Sequence, residues 1–265
     1  MARDKRLVVV PDPHSGHSYG LTPPSWWARN DSQYRKISKA GKFQRELYGF
    51  YTKAIDSLKP IDILSVPGDC IDGKGERSGG RELVTTDRHE QVKMAKEIID
   101  YAESKVVRIV AGTPYHSGKE EDYEAELASI VKGASSFHGH DFFSVNGVNF
   151  DVKHKIGSST VPHGRLTAIA RDRLWNVLWN SEHGRQPKAD VLIRAHVHYF
   201  GFAGNGAWLG ITCPAMCYNS IYGIRQCSGL VDVGIIVFDI SPKGHYSWNP
   251  ILADFPELKV KEDKL

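Results

Sequence analysis

Apolar and polar positions follow two rhythms along the first half of this chain. Residues 5–10 form a short β-branched run that stops at Pro11-Asp12-Pro13-His14. Phe43, Leu47, Phe50, Tyr51, Ile55 and Leu58 then recur at helical spacing, and Pro60 closes that helix. Residues 61–66 are a second apolar strand, ending at Pro-Gly-Asp-Cys-Ile-Asp-Gly. Val92, Ala95, Ile98 and Ile99 mark one face of a helix over 87–103. A third strand, 106–110, breaks at Gly112, and an acidic helix is expected at about 119–132.

The second half is richer in strands. Residues 136–153 read as two strands joined at Asn146-Gly147, a hairpin signal. Leu166, Ile169, Ala170, Leu174, Val177 and Leu178 predict a helix over 164–181. Strand 190–195 runs into His-Val-His, and the chain to about 248 reads mostly as strands. No repeat or low-complexity linker divides it. The expectation is an α/β protein: one domain over 1–258, two mixed sheets packed together with helices outside, and a charged, flexible tail at 259–265. The loops 15–41 and 73–86 are long for such a domain, and each follows a strand end bearing acidic residues.

Composition narrows the function classes. Hydrophobic residues make up 41% of 265, enough for a full core, and the formal charge of +3 provides no overall field for a polyanion. Attraction for phosphate or nucleic acid would have to be local. No run reaches the length of a membrane span and the opening apolar run is too short for a signal peptide, so a cytoplasmic protein without a membrane partner is expected. Cys213, Cys217 and Cys227 are spaced C-x3-C-x9-C, which fits no common zinc pattern, and read as unrelated thiols.

Chemistry gathers where strands end. The first end carries Asp12 and His14, the second Asp69 and Asp72, and the third Thr113 and His116. His154 ends a strand over 147–153, and His196 and His198 follow a late one. Sites in open α/β sheets form beyond the carboxyl ends of strands. In an extended segment residues i and i+2 face one way, so Asp12 with His14, and His196 with His198, could each present two ligands together. Carboxylate plus imidazole suits Mn, Fe, Zn or Ni, and six such residues suggest two metals. His138-Gly-His140 also looks metal-like but lacks an acidic partner in sequence and reads as structural.

These residues resemble the calcineurin-like metallophosphoesterases. The family's Asp-x-His is matched by Asp12-Pro-His14, its Gly-Asp-x-x-Asp by Gly68-Asp69-Cys-Ile-Asp72, and its Gly-His-x-His by Ala195-His196-Val-His198, with Ala for Gly. The motifs keep the family order from residue 12 to 198, and stretches such as Gly-Leu-Thr-Pro-Pro are similar to phage- and prophage-encoded members, which would place the protein in a bacterial or phage-infected cell. The resemblance implies a four-layer αββα sandwich. It implies two divalent transition metals, Mn favoured over Zn, Fe or Ni. Asp12, His14 and His198 would hold the first, Asp69 would bridge, His154 and His196 would hold the second, and Asp72 would orient a ligating histidine.

The chain departs from the family where Asn and His should follow a glycine. Here Thr113 follows Gly112, and His116 comes three residues later. Thr113 is expected to take over part of the Asn position, as a metal or phosphate contact, and to leave the second metal more weakly held. His116 is expected to act as the general acid. The activity implied is hydrolysis of a phosphodiester of a nucleotide or nucleic acid, nuclease action included, through water activated by two metals. The alternatives are a phosphomonoesterase or a non-catalytic phosphate- or nucleic-acid-binding protein. His163, Arg165 and Arg225 are candidate substrate contacts, with Lys74, Arg77, Arg81 and the aromatics Trp26, Trp27, Tyr218 and Tyr222 nearby in loops. The sequence does not fix an oligomeric state.

Overall fold

A computed structural model describes residues 3–27, 39–118, 122–219 and 231–255. Two sheets lie face to face. The first has six strands in the order β11-β10-β1-β2-β3-β4, and the second has five, β5-β6-β7-β9-β8. Strands β1 (Lys5–Val9), β2 (Ile63–Val66), β3 (Val106–Val110) and β4 (Ala134–His138) run parallel, and β10 (Gly234–Ile240) and β11 (Tyr246–Leu252) close that sheet antiparallel. In the second sheet β6 (Val148–Lys153), β7 (Val191–Arg194) and β9 (Trp208–Thr212) are parallel, flanked by antiparallel β5 (Asp141–Val145) and β8 (Gly201–Asn205).

The period-2 pattern of β1 explains the layers. Leu7 and Val9 point to the inter-sheet core with Phe150, Val152, Ile193, Ile236 and Phe238. Val8 and Val10 point the other way, against Phe43, Leu47 and Ile55 of α1 (Lys39–Leu58) and Val92, Ala95 and Ile98 of α2 (Arg88–Tyr101). Apolar residues on both faces are what a central strand between two layers requires. The single turn α3 (Pro114–Ser117) and α4 (Tyr123–Ile130) follow β3. On the far side, Ala168 and Ile169 of α5 (Thr167–His183) pack on Leu192. The result is the four-layer αββα sandwich with two mixed sheets.

Side-chain caps start two helices. Asp87 accepts from His89 and Glu90 N–H, and Asp122 accepts from Glu124 and Ala125 N–H. The helix expected at 119–132 is therefore shorter. Residues 136–153 also differ from the expectation of two strands. Asn146-Gly147 does turn a hairpin, with φ of 49° and 87°, but it joins β5 to β6. The segment before it, β4, pairs with β3 in the other sheet. Residues 139–140 cross between sheets, a switch that a period-2 pattern cannot reveal. The tail at 259–265 lies outside the described residues. Among the described residues, no helix is long and apolar enough to cross a membrane.

Candidate metal centre

The carboxyl ends of β1, β2, β3, β6 and β7 converge, and their loops are backbone-tight. A Cβ on Gly112 would lie 2.3 Å from both Asp69 N and Asp69 Oδ1. One on Gly68, at φ +88°, would lie 2.7 Å from His154 Nδ1. Only glycine lets these three loops meet. Tight packing also fixes unusual backbone. Among the described residues, seven non-glycine positions have positive φ, and five of them are Asp12, His14, Asp69, His196 and His198. Left-handed backbone is uncommon outside glycine, and its concentration on five candidate ligands marks a functional site.

That backbone corrects one expectation. Neither Asp12-Pro-His14 nor His196-Val-His198 is extended, so i and i+2 do not share a side for that reason. The side chains instead sort into two groups, each with ligand atoms mutually within 4.8 Å: Asp12, His14 and His198, and Asp69, His154 and His196. The two histidines of His-x-His thus go to different groups. Asp12 sits between them: its Oδ1 is 3.6 Å from His198 Nε2 and 3.7 Å from His154 Nδ1.

The donor set fits a cation. His14 Nδ1 is 2.9 Å from Asp72 Oδ1, and because a carboxylate accepts, Nδ1 carries the hydrogen. His14 Nε2 is then a bare lone pair, 3.3 Å from His198 Nε2. His154 Nδ1 donates to Pro67 O at 2.8 Å, which turns its Nε2 toward Asp69 Oδ2 at 3.1 Å. Asp12 Oδ1 is buried with no hydrogen-bond partner, and the buried His154 Nε2 faces the Asp69 carboxylate. Lone pairs left without hydrogens, and buried oxygens without donors, are what a divalent ion would satisfy.

The electrostatics agree. Burial alone would raise the Asp69 carboxyl, but His154, His116 and His14 hold it well below its ordinary range. Burial would likewise raise Asp12, which His198 and His154 pull down. Burial lowers His154 by itself, yet Asp69 and Asp12 push it up to about 10. His14 is held well below its usual value by burial and by His116, and His196 is lowered by burial and by His154. The pocket holds two ionised carboxylates, which a protonated His154 balances in part and a bound cation would balance in place of its proton.

His116 faces this pocket. Its Nδ1 donates to the Asp72 carbonyl oxygen at 2.8 Å, leaving Nε2 3.9 Å from Asp69 Oδ2. Its ring meets His14 edge-on at 4.6 Å. With His14 and Asp72 it forms a third group of mutually close donor atoms. Thr113 donates to Asp69 Oδ1 through both N–H and hydroxyl. The loop after Asp72 rests on the same turn: a Cβ on Gly73 would lie 2.8 Å from the His116 carbonyl oxygen, and Arg77 N–H donates to Tyr115 Oη at 2.9 Å, its guanidinium over the Tyr115 ring. Across the site, Arg165 lies over Tyr199, next to His198, and its Nε is buried without a partner. His163 is exposed. Tyr222 and Arg225 lie outside the described residues.

Two buried residues supporting the site carry no motif. Glu124, on α4, accepts from Cys70 N–H at 2.7 Å and Gly112 N–H at 2.6 Å, so one carboxylate ties the loop after β2 to the loop after β3. Burial and then Asp69 push it up to about 7. The available signal was a charge on the apolar face of a short helix, beside Leu127 and Ala128. His17 accepts from Tyr19 N–H, its Nε2 has no hydrogen-bond partner, and burial drops it to about 4. His138 and His140 stay structural, but acidic partners exist: His138 lies 3.7 Å from Asp141 and His140 2.7 Å from Asp151. Among the described residues no candidate metal group contains a cysteine.

Fold and site together define an αββα sandwich with paired carboxylate–histidine groups at converging strand ends. No family model matches the chain, and no curated protein matches it. Solved structures of similar fold include Vps29 from Cryptosporidium parvum, 10% identical, covering 95% of this chain and 100% of that one at a TM-score of 0.48. An archaeal phosphodiesterase is 13% identical, covering 93% and 99% at 0.44. Wild-type Vps29 from Entamoeba histolytica, complexed with zinc, is 10% identical, covering 93% and 98% at 0.41. The function is therefore argued from this chain's own residues.

Proposed function

We propose that the protein is a metal-dependent phosphoesterase, and most specifically a phosphodiesterase acting on a nucleotide or nucleic-acid diester. The observation that carries this reading is the pair of adjoining ligand groups, Asp12, His14, His198 and Asp69, His154, His196, with Asp12 Oδ1 buried and unpartnered between them. Divalent transition metals held there, Mn above the others, would polarise a phosphoryl oxygen and acidify a water.

The chain's own residues supply the rest. Asp72 fixes the His14 tautomer, and Pro67 O fixes that of His154. Thr113 holds one oxygen of Asp69 so that the other faces His154. His116, anchored through Nδ1, offers Nε2 as the atom that gives a proton to the leaving oxygen. Arg77, held on Tyr115, and Arg165, on Tyr199, support a substrate with charge on both sides of the cleaved ester.

The test is hydrolysis of bis-p-nitrophenyl phosphate beside p-nitrophenyl phosphate. Metal-stripped protein is resupplied with Mn, Ni, Zn or Mg, and Asp69→Asn is the control. Diester cleavage restored by a transition metal and lost in the variant is expected. Preference for the monoester would move the assignment to a phosphomonoesterase. No turnover with any metal would leave a binding protein on the same fold.

A further inference from the structure

Gln91 is fully buried on α2, and its amide makes three hydrogen bonds to loop backbone. Oε1 accepts from Gly73 N–H at 2.8 Å. Nε2 donates to Gly73 O and to Thr85 O, each at 2.8 Å. The amide fits only one way round, because a flip would set its oxygen against two carbonyls. Its side chain is also pinned by the loop after β1: a Cβ on Gly16 would lie 2.4 Å from Gln91 Cγ, so only glycine passes over it there. A neutral side chain outside every motif thus holds the backbone on which the loop after Asp72 begins.

That backbone leads to His116. The Gly73 N–H and the Asp72 carbonyl are the two ends of one peptide group. The Asp72 carbonyl oxygen accepts from His116 Nδ1 at 2.8 Å. A continuous path therefore runs from His116 Nδ1–H to Asp72 O, across the peptide, and from Gly73 N–H to Gln91 Oε1. Hydrogen bonds at both ends of one peptide polarise it in the same sense and strengthen each other. They also fix the plane of a peptide next to Gly73, whose φ of +79° marks a position free to turn. The Asp72 carboxylate is farther from His116 Nδ1, at 3.5 Å, and is engaged with His14 Nδ1 at 2.9 Å. The carbonyl is the nearer anchor of the His116 ring.

We infer that Gln91 is a positioning residue for His116. It sets the Asp72–Gly73 peptide, which keeps the proton of the neutral ring on Nδ1 and leaves Nε2 turned toward the metal centre. The tautomer follows from the hydrogen bonds alone, whereas its effect on rate rests on the acid role given to His116 under the proposed function.

Two readouts test this. The first is the long-range 1H–15N spectrum of metal-free protein carrying 15N-labelled histidine, at about pH 9, above the ordinary imidazole range, with His116→Gln identifying the signal. The wild type is expected to show His116 as the Nδ1–H form. Gln91→Met and the shorter Gln91→Asn should each show a mixture with the Nε2–H form. Gln91→Glu keeps an acceptor for Gly73 N–H and should stay with the wild type. The second readout is the ratio of kcat on an ester with a poor leaving group to kcat on a nitrophenyl ester, in which general damage to the site cancels. Gln91→Met should lower that ratio about tenfold, and adding it to His116→Gln should lower it no further. A wild-type ring protonated on Nε2, a tautomer indifferent to both Gln91→Met and Gln91→Asn, or a double variant with a ratio well below that of His116→Gln would overturn the assignment. A ratio unchanged in His116→Gln itself would overturn the acid role instead, and the ring spectrum would still decide for or against Gln91.

Discussion

Thr113 donates twice to a single oxygen of Asp69, its N–H at 2.7 Å and its hydroxyl at 3.1 Å from Oδ1. The hydroxyl is thus occupied in holding a candidate ligand. Thr113→Val keeps the shape and removes one donor. It should weaken metal binding at the Asp69, His154, His196 group about ten- to hundredfold, while Thr113→Ser stays near wild type. Calorimetric titration of metal-free protein reads both, and should also show that group binding more weakly than the Asp12, His14, His198 group. Two equally tight wild-type sites, or a neutral Thr113→Val, would count against this role.

Glu124 ties two ligand loops through Cys70 and Gly112 N–H. Glu124→Gln keeps the volume but turns an amide NH2 toward one of those donors. A loss of about 1–3 kcal/mol in unfolding free energy is expected, with weaker metal binding alongside. Denaturant unfolding of the metal-free protein measures the first. Stability and metal affinity both unchanged would remove Glu124 from the site's support.

His17 gives the metal-free protein an acid-sensitive element. Its folded value of about 4 lies below the ordinary 6.5 because burial penalises the charged ring. A depressed value means that its contribution is present in full above pH 6.5 and is lost as pH falls through 4. The gap corresponds to roughly 3 kcal/mol. His17→Asn can keep an acceptor for Tyr19 N–H without a titrating ring. The variant should show a shallower loss of stability between pH 6.5 and 4, and identical slopes would refute the assignment.

Under the proposed function His116 protonates the leaving group. His116→Gln should lower kcat about 100-fold or more on esters with poor leaving groups, and far less on nitrophenyl esters, whose leaving oxygen needs little help. Rates across a series of leaving-group pKa values give the comparison. A uniform loss across the series would make His116 a positioning residue instead.

Much of the fold was legible because burial imposes period. The two-faced apolar pattern of β1 and the spacing of Phe43, Leu47 and Ile55 announced a layered α/β core. The candidate ligands were legible as residue types at strand ends. Their geometry was not: left-handed backbone at Asp12, His14, His196 and His198 breaks the i, i+2 alternation, and the close approaches at Gly68 and Gly112 depend on which loops meet in space. The sheet switch at 139–140 depends on which strand β4 pairs with. The outward apolar face of α5, where Leu174 and Trp175 are exposed, was invisible too: helical spacing gives a stripe, and only the packing says which way it faces.

Under the proposed function, six side chains form two adjoining metal sites. Equilibrium dialysis of metal-free protein against Mn, with elemental analysis of bound metal, tests it most directly. The wild type should hold about two ions per chain at saturation, and His14→Ala and His154→Ala about one each with the fold retained. A wild type that binds none, or histidine variants that bind as much as the wild type, would contradict the account.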